Sequence, residues 1–553
     1  MSPFAHGVAS FDPLTDRVLL WTRVDPSVRR VRWAVAAAPA DPHASAAALV
    51  ADVMARGEAE VPADADGCVT VDVDGLEPAT THHFWFEVDG VRSPVGRTRT
   101  LPVATDWARL AFVCCADRSM GELTAYRAIA EDEVDLVVHL GDYLYEEPKG
   151  PHPVDPPGVT VTLEDYRRRH AHTRLDPDLQ ALHLRHPMVF VWDDHDTADN
   201  SWRHGAKAHD EAEHGPWEVR LAAATRARQE WLPARLSDPA QPIDMHRSVP
   251  FGELAELVVL DTRIPGRDRP SGDEGAKPLR DPDRRIVPEV QMEWVEQRLA
   301  DRSRTWAIVA SQVPVAPLQL PVPTGTAEQL ADSALPSGYR VIDGDAVCTD
   351  LWDGYPVQRD RLARALDARA GSAVVVSGDV HSNWAALVPD PTGERAVAAD
   401  LVTSSVSATA MGEQLPHGWR SVADEVADRR VPHTVWSDLE HHGYLRVDVR
   451  PEELRADWIA AEPGERPLRP RIIASWALHP HLPVELRPAV PSSSISGFHD
   501  VRRPGLALPP RPAEPPTGDG RSVVRSTAKV GAAVLAGLVV LGIGGWLLRR
   551  RRR

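Results

Sequence analysis

Short apolar runs, many of them rich in β-branched residues, recur along the chain, but what separates them changes near residue 105. Before that point the runs alternate with polar positions and are bounded by Gly, Pro and Asp, a pattern typical of strands joined by turns. We therefore expect residues 1–104 to form an all-β domain resembling a fibronectin type III-like sandwich. From 105 to 500 strand runs alternate with helical stretches, which predicts an α/β domain containing parallel strands.

Four strand runs of the α/β region lead into residues that can bind metal ions. The apolar run 134–140 precedes Gly141, Asp142, Tyr143, Leu144 and Tyr145. The other three runs lead into Cys114 and Cys115, into Asp193, Asp194 and His195, and into Asp379 and His381. Ligands of open α/β sheets bind at the carboxyl ends of strands. The sequence therefore predicts that the four strand ends meet in one metal site.

The donor types of this site suit the hydrolysis of phosphate esters, for which two adjacent cations can neutralise phosphate oxygens and activate water. Asp142 is our candidate for the carboxylate that bridges them. Tyr145 offers a phenolate suited to ferric iron, and a cysteine thiolate favours a transition metal on the same side. Cys114 and Cys115 both remain candidates for that thiolate, with Cys115 preferred for its distance from Asp142.

Oxygen donors predict a second, harder site. Asp194 and Asp379 supply carboxylates that calcium accepts, and Asn200 adds a neutral oxygen. His381 lies two residues beyond Asp379, on the same side of an extended chain, and can complete the first site. His195 is better placed to touch the phosphate or to protonate the leaving oxygen.

Three arginines are candidates for binding the substrate phosphate, because a guanidinium matches phosphate oxygens in a bidentate fashion. They are Arg118, Arg203 and Arg263, and we rank Arg263 first since it follows a predicted strand. A surface or ion-pair arginine is an equally good interpretation of each one taken singly.

The C-terminal segment predicts a membrane anchor. Residues 501–529 form a proline-rich linker, 530–548 are uncharged and mainly apolar, and 549–553 are arginines. A span of that length just crosses a bilayer, and the arginines favour the cytoplasmic side, so we expect a single-pass anchor with an extracellular catalytic domain. The N-terminus shows no signal peptide, so we expect either an upstream leader that the recorded start misses or insertion by the tail with the large domain left inside. A degenerate cell-wall sorting signal beginning at Glu514 is a minor alternative.

Charge and cysteine content exclude two classes of protein. The formal net charge is −18, although the segment from Arg521 to Arg553 is basic, so the remaining chain is strongly acidic. A non-specific nucleic-acid-binding surface needs a basic face and is not expected. Four cysteines in 553 residues are too few for a disulfide framework.

Ordered motifs over roughly residues 4–460 resemble the alkaline phosphatase D (PhoD-like) family. They are Gly-Val-Ala-Ser-Phe-Asp-Pro at 7–13, Leu-Trp-Thr-Arg at 20–23, Gly-Asp-Tyr-Leu-Tyr-Glu at 141–146, Trp-Asp-Asp-His-Asp at 192–196, Leu-Asp-Thr-Arg at 260–263, Trp-Asp-Gly-Tyr-Pro at 352–356 and Gly-Asp-Val-His-Ser at 378–382. The resemblance implies a calcineurin-like metallophosphatase core, two packed mixed sheets flanked by helices in an αββα sandwich.

The same resemblance implies hydrolysis of phosphomonoesters and phosphodiesters by a metal-activated hydroxide, with iron and calcium as cofactors. It supports Cys115, Asp142 and Tyr145 around iron, and Asp194, Asp379 and His381 around the metal cluster. His195 occupies the position of a catalytic histidine. The alternatives are a phospholipid head-group hydrolase near the membrane and a degenerate surface protein that binds without catalysis. The natural substrate and the oligomeric state stay open.

Overall fold

The computed structural model describes residues 2–37, 53–318, 339–342, 345–414, 433–481 and 483–491. Its strands are β1 Val8–Phe11, β2 Val18–Arg23, β3 Arg30–Ala37, β4 Val53–Glu60, β5 Cys68–Val73, β6 Thr81–Val88, β7 Val91–Arg92, β8 Gly96–Arg99, β9 Ala108–Val113, β10 Leu136–His139, β11 Met188–Phe190, β12 Arg247–Phe251, β13 Ala255–Val259, β14 Trp306–Ala310, β15 Tyr339–Ile342, β16 Asp345–Cys348, β17 Ala373–Ser377, β18 Asn383–Pro389, β19 Ala396–Val402, β20 Thr434–Asp438, β21 Gly443–Val449, β22 Leu454–Ala460, β23 Arg471–Leu478 and β24 Arg487–Pro488.

The described α-helices are α1 Thr124–Glu131, α2 Leu163–Arg174, α3 Pro177–Arg185, α4 Glu211–His214, α5 Trp217–Trp231, α6 Glu289–Ala300 and α7 Pro356–Asp367. Local sequence explains several of their starts. Thr162 and Asp165 form a capping box at the start of α2, with each side chain bonded to the backbone N–H of the other. Asp176 caps α3 by accepting from Asp178 and Leu179, and Pro177 follows at the first helical position.

Two large mixed sheets organise the molecule. The first has ten strands in the order β24-β23-β22-β21-β9-β10-β11-β1-β2-β5, with β9, β10, β11 and β1 parallel at its centre. The second has seven strands in the order β12-β13-β14-β17-β19-β18-β20, with β13, β14, β17 and β19 parallel. This is an α/β fold with mixed sheets, and the parallel strands lie centrally in both.

The two sheets face each other across one apolar core. Successive residues of a strand point to opposite faces, and in β14 Ile308 and Ala310 belong to the core shared with the ten-stranded sheet. Ala307 and Val309 belong instead to a second core with the helix residues Leu299 and Leu362. Each fully buried Ile, Val or Leu side chain among these contributes roughly 1.5–3 kcal/mol. The central strands are therefore buried on both faces, and only their ends are available for chemistry.

The N-terminal strands do not form a separate sandwich of their own. Strands β1, β2 and β5 continue the ten-stranded sheet, because Phe11 pairs in parallel with Met188 of β11. Strands β3, β4, β6, β7 and β8 form a five-stranded sheet. The core between this sheet and β1, β2 and β5 includes Val18, Leu20 and Phe84. One layer of the expected N-terminal sandwich is thus the edge of the large sheet.

The fold class predicted from the sequence needs one correction. Within the described ranges, every helix is too short or too polar to cross a bilayer. The expected transmembrane helix at 530–548, its linker 501–529 and its arginine tail lie outside the described residues. The predicted single-pass membrane anchor and the extracellular location derived from it are therefore withdrawn, since no helix among the described residues supports them. The alternative of a phospholipid head-group hydrolase depended on that anchor, so the described structure does not support it.

Candidate metal centre

The predicted ligands come together at the carboxyl ends of strands from both large sheets. Cys115 follows β9, Asp142 follows β10, Asp194 follows β11, and Asp379 and His381 follow β17. Gly141 lets the backbone after β10 lie close to Asp193 after β11, because a Cβ built at Gly141 would lie 2.4 Å from the Cβ and N of Asp193. Its φ of +114° is also a conformation that other residues rarely adopt.

The backbone at the candidate ligands has an uncommon conformation. Positive φ angles occur at Cys115 (57°), Asp142 (54°), Asn200 (52°), Asp379 (69°) and His381 (50°). Non-glycine residues adopt this left-handed region infrequently, and such residues cluster at functional sites. At Cys115, Asp142, Asp379 and His381 the chain turns within four residues of a strand end, which brings side chains from separate strands toward one point.

The first group of donors consists of Cys115, Asp142 and His381, whose candidate ligand atoms all lie within 4.8 Å of one another. The Tyr145 hydroxyl is 3.1 Å from His381 Nε2. His381 Nδ1 is 3.0 Å from the Thr409 carbonyl, which can only accept, so Nδ1 carries the proton and the Nε2 lone pair faces the group. The buried side chains of Cys115, Asp142 and Tyr145 thus share a single small space with the partly buried His381.

The structure separates the two vicinal cysteines. Cys114 Sγ faces the carbonyls of Thr403 and Ser404 at 3.9 and 3.6 Å. A Cβ at Gly378 would lie 2.6 Å from the same sulfur, so this position requires glycine as a packing partner. Cys115, and not Cys114, belongs to the group with Asp142 and His381.

Two further groups continue from the first. Asp142, Asp194 and His195 form one, and Asp193, Asp194 and Asp379 form the other, each with its candidate ligand atoms within 4.8 Å. Asp142 is shared by the first two groups and Asp194 by the last two. The three groups therefore form a continuous row of donors, each group with two buried residues and one partly buried residue.

His195 is held by a partner that sequence reasoning missed. Its Nδ1 is 2.7 Å from Oε2 of Glu146, a fully buried carboxylate, and its ring stacks on Tyr145 at 4.2 Å between centroids. Burial by itself lowers the pKa of His195, but Glu146, Asp194 and Asp142 outweigh it and raise that pKa well above its ordinary value. The sequence indicated Glu146 only through its position directly after Tyr145.

Asp196 is a second residue missed in the sequence. Its carboxylate accepts hydrogen bonds from the backbone N–H groups of Asp142, Tyr143, Leu144 and Asp193. These bonds tie the loop after β10 to the loop after β11. Burial nevertheless raises the pKa of Asp196 to about 7.

The side of His195 opposite Glu146 meets another acidic residue. Asp199 Oδ1 lies 4.0 Å from His195 Nε2, and its Oδ2 lies 3.5 Å from Lys207 Nζ. The Asp199 backbone N–H donates to Glu146 at 2.7 Å. Lys207 is half-exposed, so this edge of the site reaches solvent.

Arg263 lies at the centre but faces carboxylates. Its guanidinium is fully buried and bonds to Asp193, to Asp350 at 2.7 Å and to Asp379 at 2.8 Å. Asp194 Oδ1 lies 3.5 Å from Nη2. The donors that we assigned to a substrate phosphate are engaged within the protein, because the loop after β13 points inward.

The other two candidate arginines bind backbone carbonyls. Arg118 donates to the Gly121 carbonyl at 3.1 Å and pairs with Asp176 at 3.3 Å. Arg203 donates to the Gly266 carbonyl at 2.9 Å and is exposed. The structure brings neither into the three donor groups.

Asn200 supports the site from the backbone as well as from its side chain. Its N–H donates to Asp194 Oδ2 at 2.6 Å. With its amide nitrogen toward Asp350, the side chain donates to that carboxylate at 3.2 and 3.3 Å. In this orientation the amide oxygen is the remaining donor that Asn200 offers to a cation.

The residues fit a bound cation. Asp194 Oδ1 is buried and makes no hydrogen bond within the described part of the chain. Burial, together with neighbouring carboxylates, raises the pKa of Asp142 and of Asp379 well above the ordinary aspartate value. Buried carboxyls so close together need positive charge to stay ionised. A cation among them would supply it.

Comparisons with known proteins agree on one family. Residues 110–458 match the PhoD-like phosphatase family, and residues 1–102 match the N-terminal domain of PhoD-like phosphatases. Alkaline phosphatase D of Bacillus subtilis (strain 168) is 32% identical over 496 residues, covering 84% of this chain and 79% of that protein. A solved structure of PhoD superposes with a TM-score of 0.75 at 28% identity, covering 89% of this chain and 93% of the other.

Proposed function

The chain belongs to the PhoD-like phosphatase family and is a phosphoric ester hydrolase, and we propose that it cleaves phosphate mono- and diesters at the metal centre built around Asp142. The alternative of a non-catalytic binding protein is not retained. One observation carries the proposal: Asp142 is the donor shared by the Cys115–His381 group and the Asp194–His195 group. A shared carboxylate is how proteins hold two cations side by side.

The two sides of Asp142 differ in chemistry, and this difference supports unlike metals. We assign iron to Cys115, Asp142, Tyr145 and His381, since thiolate, phenolate and imidazole favour a transition metal. We assign calcium to the oxygen donors Asp194, Asp379 and Asn200. When bound, such cations neutralise phosphate oxygens and lower the pKa of water.

In the reaction, we assign neighbouring side chains the role of orienting the His195 ring. Glu146 accepts from Nδ1, which leaves Nε2 to face the open edge near Asp199. Glu146, Asp194 and Asp142 raise the pKa of His195 and so favour the protonated ring, whose Nε2 can donate a proton to the leaving oxygen. Burial raises the pKa of Glu146, but His195 and the N–H of Asp199 outweigh this and hold the carboxylate ionised.

Reconstitution after chelation tests this proposal. Protein stripped of metal should lose turnover of a chromogenic phosphodiester and regain it with iron and calcium together, more than with either ion alone. Iron bound by a tyrosinate should also colour the protein, and Tyr145→Phe should bleach that colour. An iron-free, colourless protein that retains full turnover would overturn the iron assignment.

A further inference from the structure

Arg263 is one of the largest fully buried side chains of the described structure, and it lies against all three carboxylates of one donor group. It bonds to Asp193 through Nε and to Asp379 through Nη2, and the same Nη2 lies 3.5 Å from Asp194. Its third nitrogen bonds to Asp350. The guanidinium thus sits where a cation held by Asp193, Asp194 and Asp379 would sit.

We infer that Arg263 is the built-in cation of the Asp193–Asp194–Asp379 group and positions Asp194 and Asp379 for metal ions bound on their other sides. This group therefore needs no metal ion of its own. Arg263 is a positioning residue in this account and not a clamp on the substrate phosphate. The inference rests on the proposed metal centre, but it concerns charge balance rather than the reaction.

The geometry favours a positioning role over a simple ion pair. A guanidinium presents its donors in a rigid fork, and here the fork is divided among carboxylates that follow different strands. Asp193 follows β11, Asp379 follows β17, and Arg263 itself follows β13. The arginine therefore fixes strand ends of the ten-stranded sheet relative to those of the seven-stranded sheet. A lysine would keep the positive charge but could not direct separate donors to carboxylates that follow different strands.

The contacts with Arg263 do not use every oxygen lone pair of Asp194 and Asp379, and Asp194 Oδ1 lies 3.5 Å from Arg263 Nη2. Asp194 Oδ2 accepts from the Asn200 N–H, while Oδ1 has no hydrogen bond in the described structure. Asp379 uses Oδ1 for Arg263. Each aspartate therefore keeps oxygen lone pairs for a metal ion after its contact with the arginine. Asp193 differs from Asp194 and Asp379, because we assign it to bonding Arg263 and not to binding a metal ion.

Calcium binding by the full-length protein tests the inference. Arg263→Gln removes the internal cation and leaves three carboxylates facing one another, so this variant should bind one additional Ca²⁺ per chain, measured by calorimetry and metal analysis with calcium chloride alone. Its Tm should fall by about 5 °C without calcium and recover when calcium is added. Arg263→Lys should keep the wild-type calcium stoichiometry.

Arg267→Gln is the matched control, because Arg267 is equally buried but bonds to Asp350 and to the Thr262 carbonyl. It should lose stability without gaining a calcium ion. An Arg263→Gln protein that folds, binds no additional calcium and is not stabilised by it would overturn the inference.

Asp193→Asn decides the matter independently if Arg263→Gln does not fold. We expect it to retain the full wild-type metal content, since Asp193 serves Arg263; loss of one bound metal ion would show that the group holds a metal and would overturn the inference. These metal counts separate this inference from the proposed function. Absence of metal from the wild-type protein would refute the centre itself, whereas a changed count in the variants reports on Arg263.

Discussion

Glu146 Oε2 lies 2.7 Å from His195 Nδ1, and the Glu146 side chain has no solvent exposure. Its other oxygen accepts the N–H of Asp199, so the carboxylate is fixed at both ends. This contact determines which ring nitrogen of His195 carries the proton toward Glu146 and which nitrogen faces the open edge of the site. Both partners of this contact are protein side chains, so the contact exists without a bound metal ion.

Glu146→Gln should lower turnover, because an amide can donate to Nδ1 and no longer stabilises a protonated ring. Loss of such an orienting partner costs about 10–100-fold in activity. The loss should be greater for esters with a poor, alkyl leaving group than for a nitrophenyl ester, since only the former depends strongly on proton donation. Steady-state kinetics with the two ester types measures this difference.

Glu147→Gln is the control for that variant, because Glu147 is the adjacent acidic residue and its side chain is about half exposed. It should leave both rates unchanged. Equal losses on both esters for Glu146→Gln would argue that Glu146 acts only in folding.

Cys115→Ser should remove most of the bound iron, because Cys115 is the thiol grouped with Asp142 and His381. Cys114→Ser should keep the iron and lose only stability, since its sulfur packs near two carbonyls and Gly378. Iron analysis of the two purified variants separates the predictions. Loss of iron from the Cys114 variant alone would reverse the assignment.

The pair His441 and Asp438 should make stability depend on pH. Its hydrogen bond of 2.7 Å is the main cause that raises the pKa of His441, and His441 in turn outweighs burial to lower the pKa of Asp438. The raised pKa of His441 stabilises the folded state below the unfolded histidine pKa, and this stabilisation is lost as the pH rises through the folded pKa. The lowered pKa of Asp438 stabilises the folded state above the unfolded aspartate pKa, and this stabilisation is lost as the pH falls through the folded pKa. The pair therefore stabilises between these two limits.

Urea unfolding of wild-type protein and His441→Gln measures that contribution. The difference in the free energy of unfolding should be at most about 1 kcal/mol, because both groups are partly exposed. It should be present between the ordinary pKa values of aspartate and histidine, about 4 to 6.5, and disappear as the pH rises through the raised pKa of His441. A difference that grows with rising pH would contradict the sign.

The sequence predicted the candidate ligands because they directly follow buried strands. Asp142, Asp194 and His381 could be predicted from apolar runs that end in polar donors, since strand ends of a parallel sheet meet at one edge. Glu146 and Asp196 were missed, and Asp193 was given no specific role, because their roles depend on how loops fold over those ends. Nothing local distinguishes a carboxylate that accepts four backbone N–H groups from one that faces solvent.

Long-range pairing accounts for the other differences. The pairing of Phe11 with Met188 joins strands far apart in the chain, so the continuity of β1 with the ten-stranded sheet is absent from the local pattern of residues 1–104. Arg263 was assigned to phosphate because it follows a strand. Its carboxylate partners come from positions 193, 350 and 379, and only the fold brings them together.

Asp142→Asn tests the central claim most directly. The substitution keeps the size of the side chain and removes the charge shared by two donor groups. With metal content and turnover of a chromogenic phosphodiester measured on the same purified, folded protein, we expect bound metal to fall and turnover to drop by about a thousandfold or more, since loss of one strong catalytic group costs several kcal/mol. A folded Asp142→Asn protein with wild-type metal content and turnover within about tenfold of wild type would contradict the account.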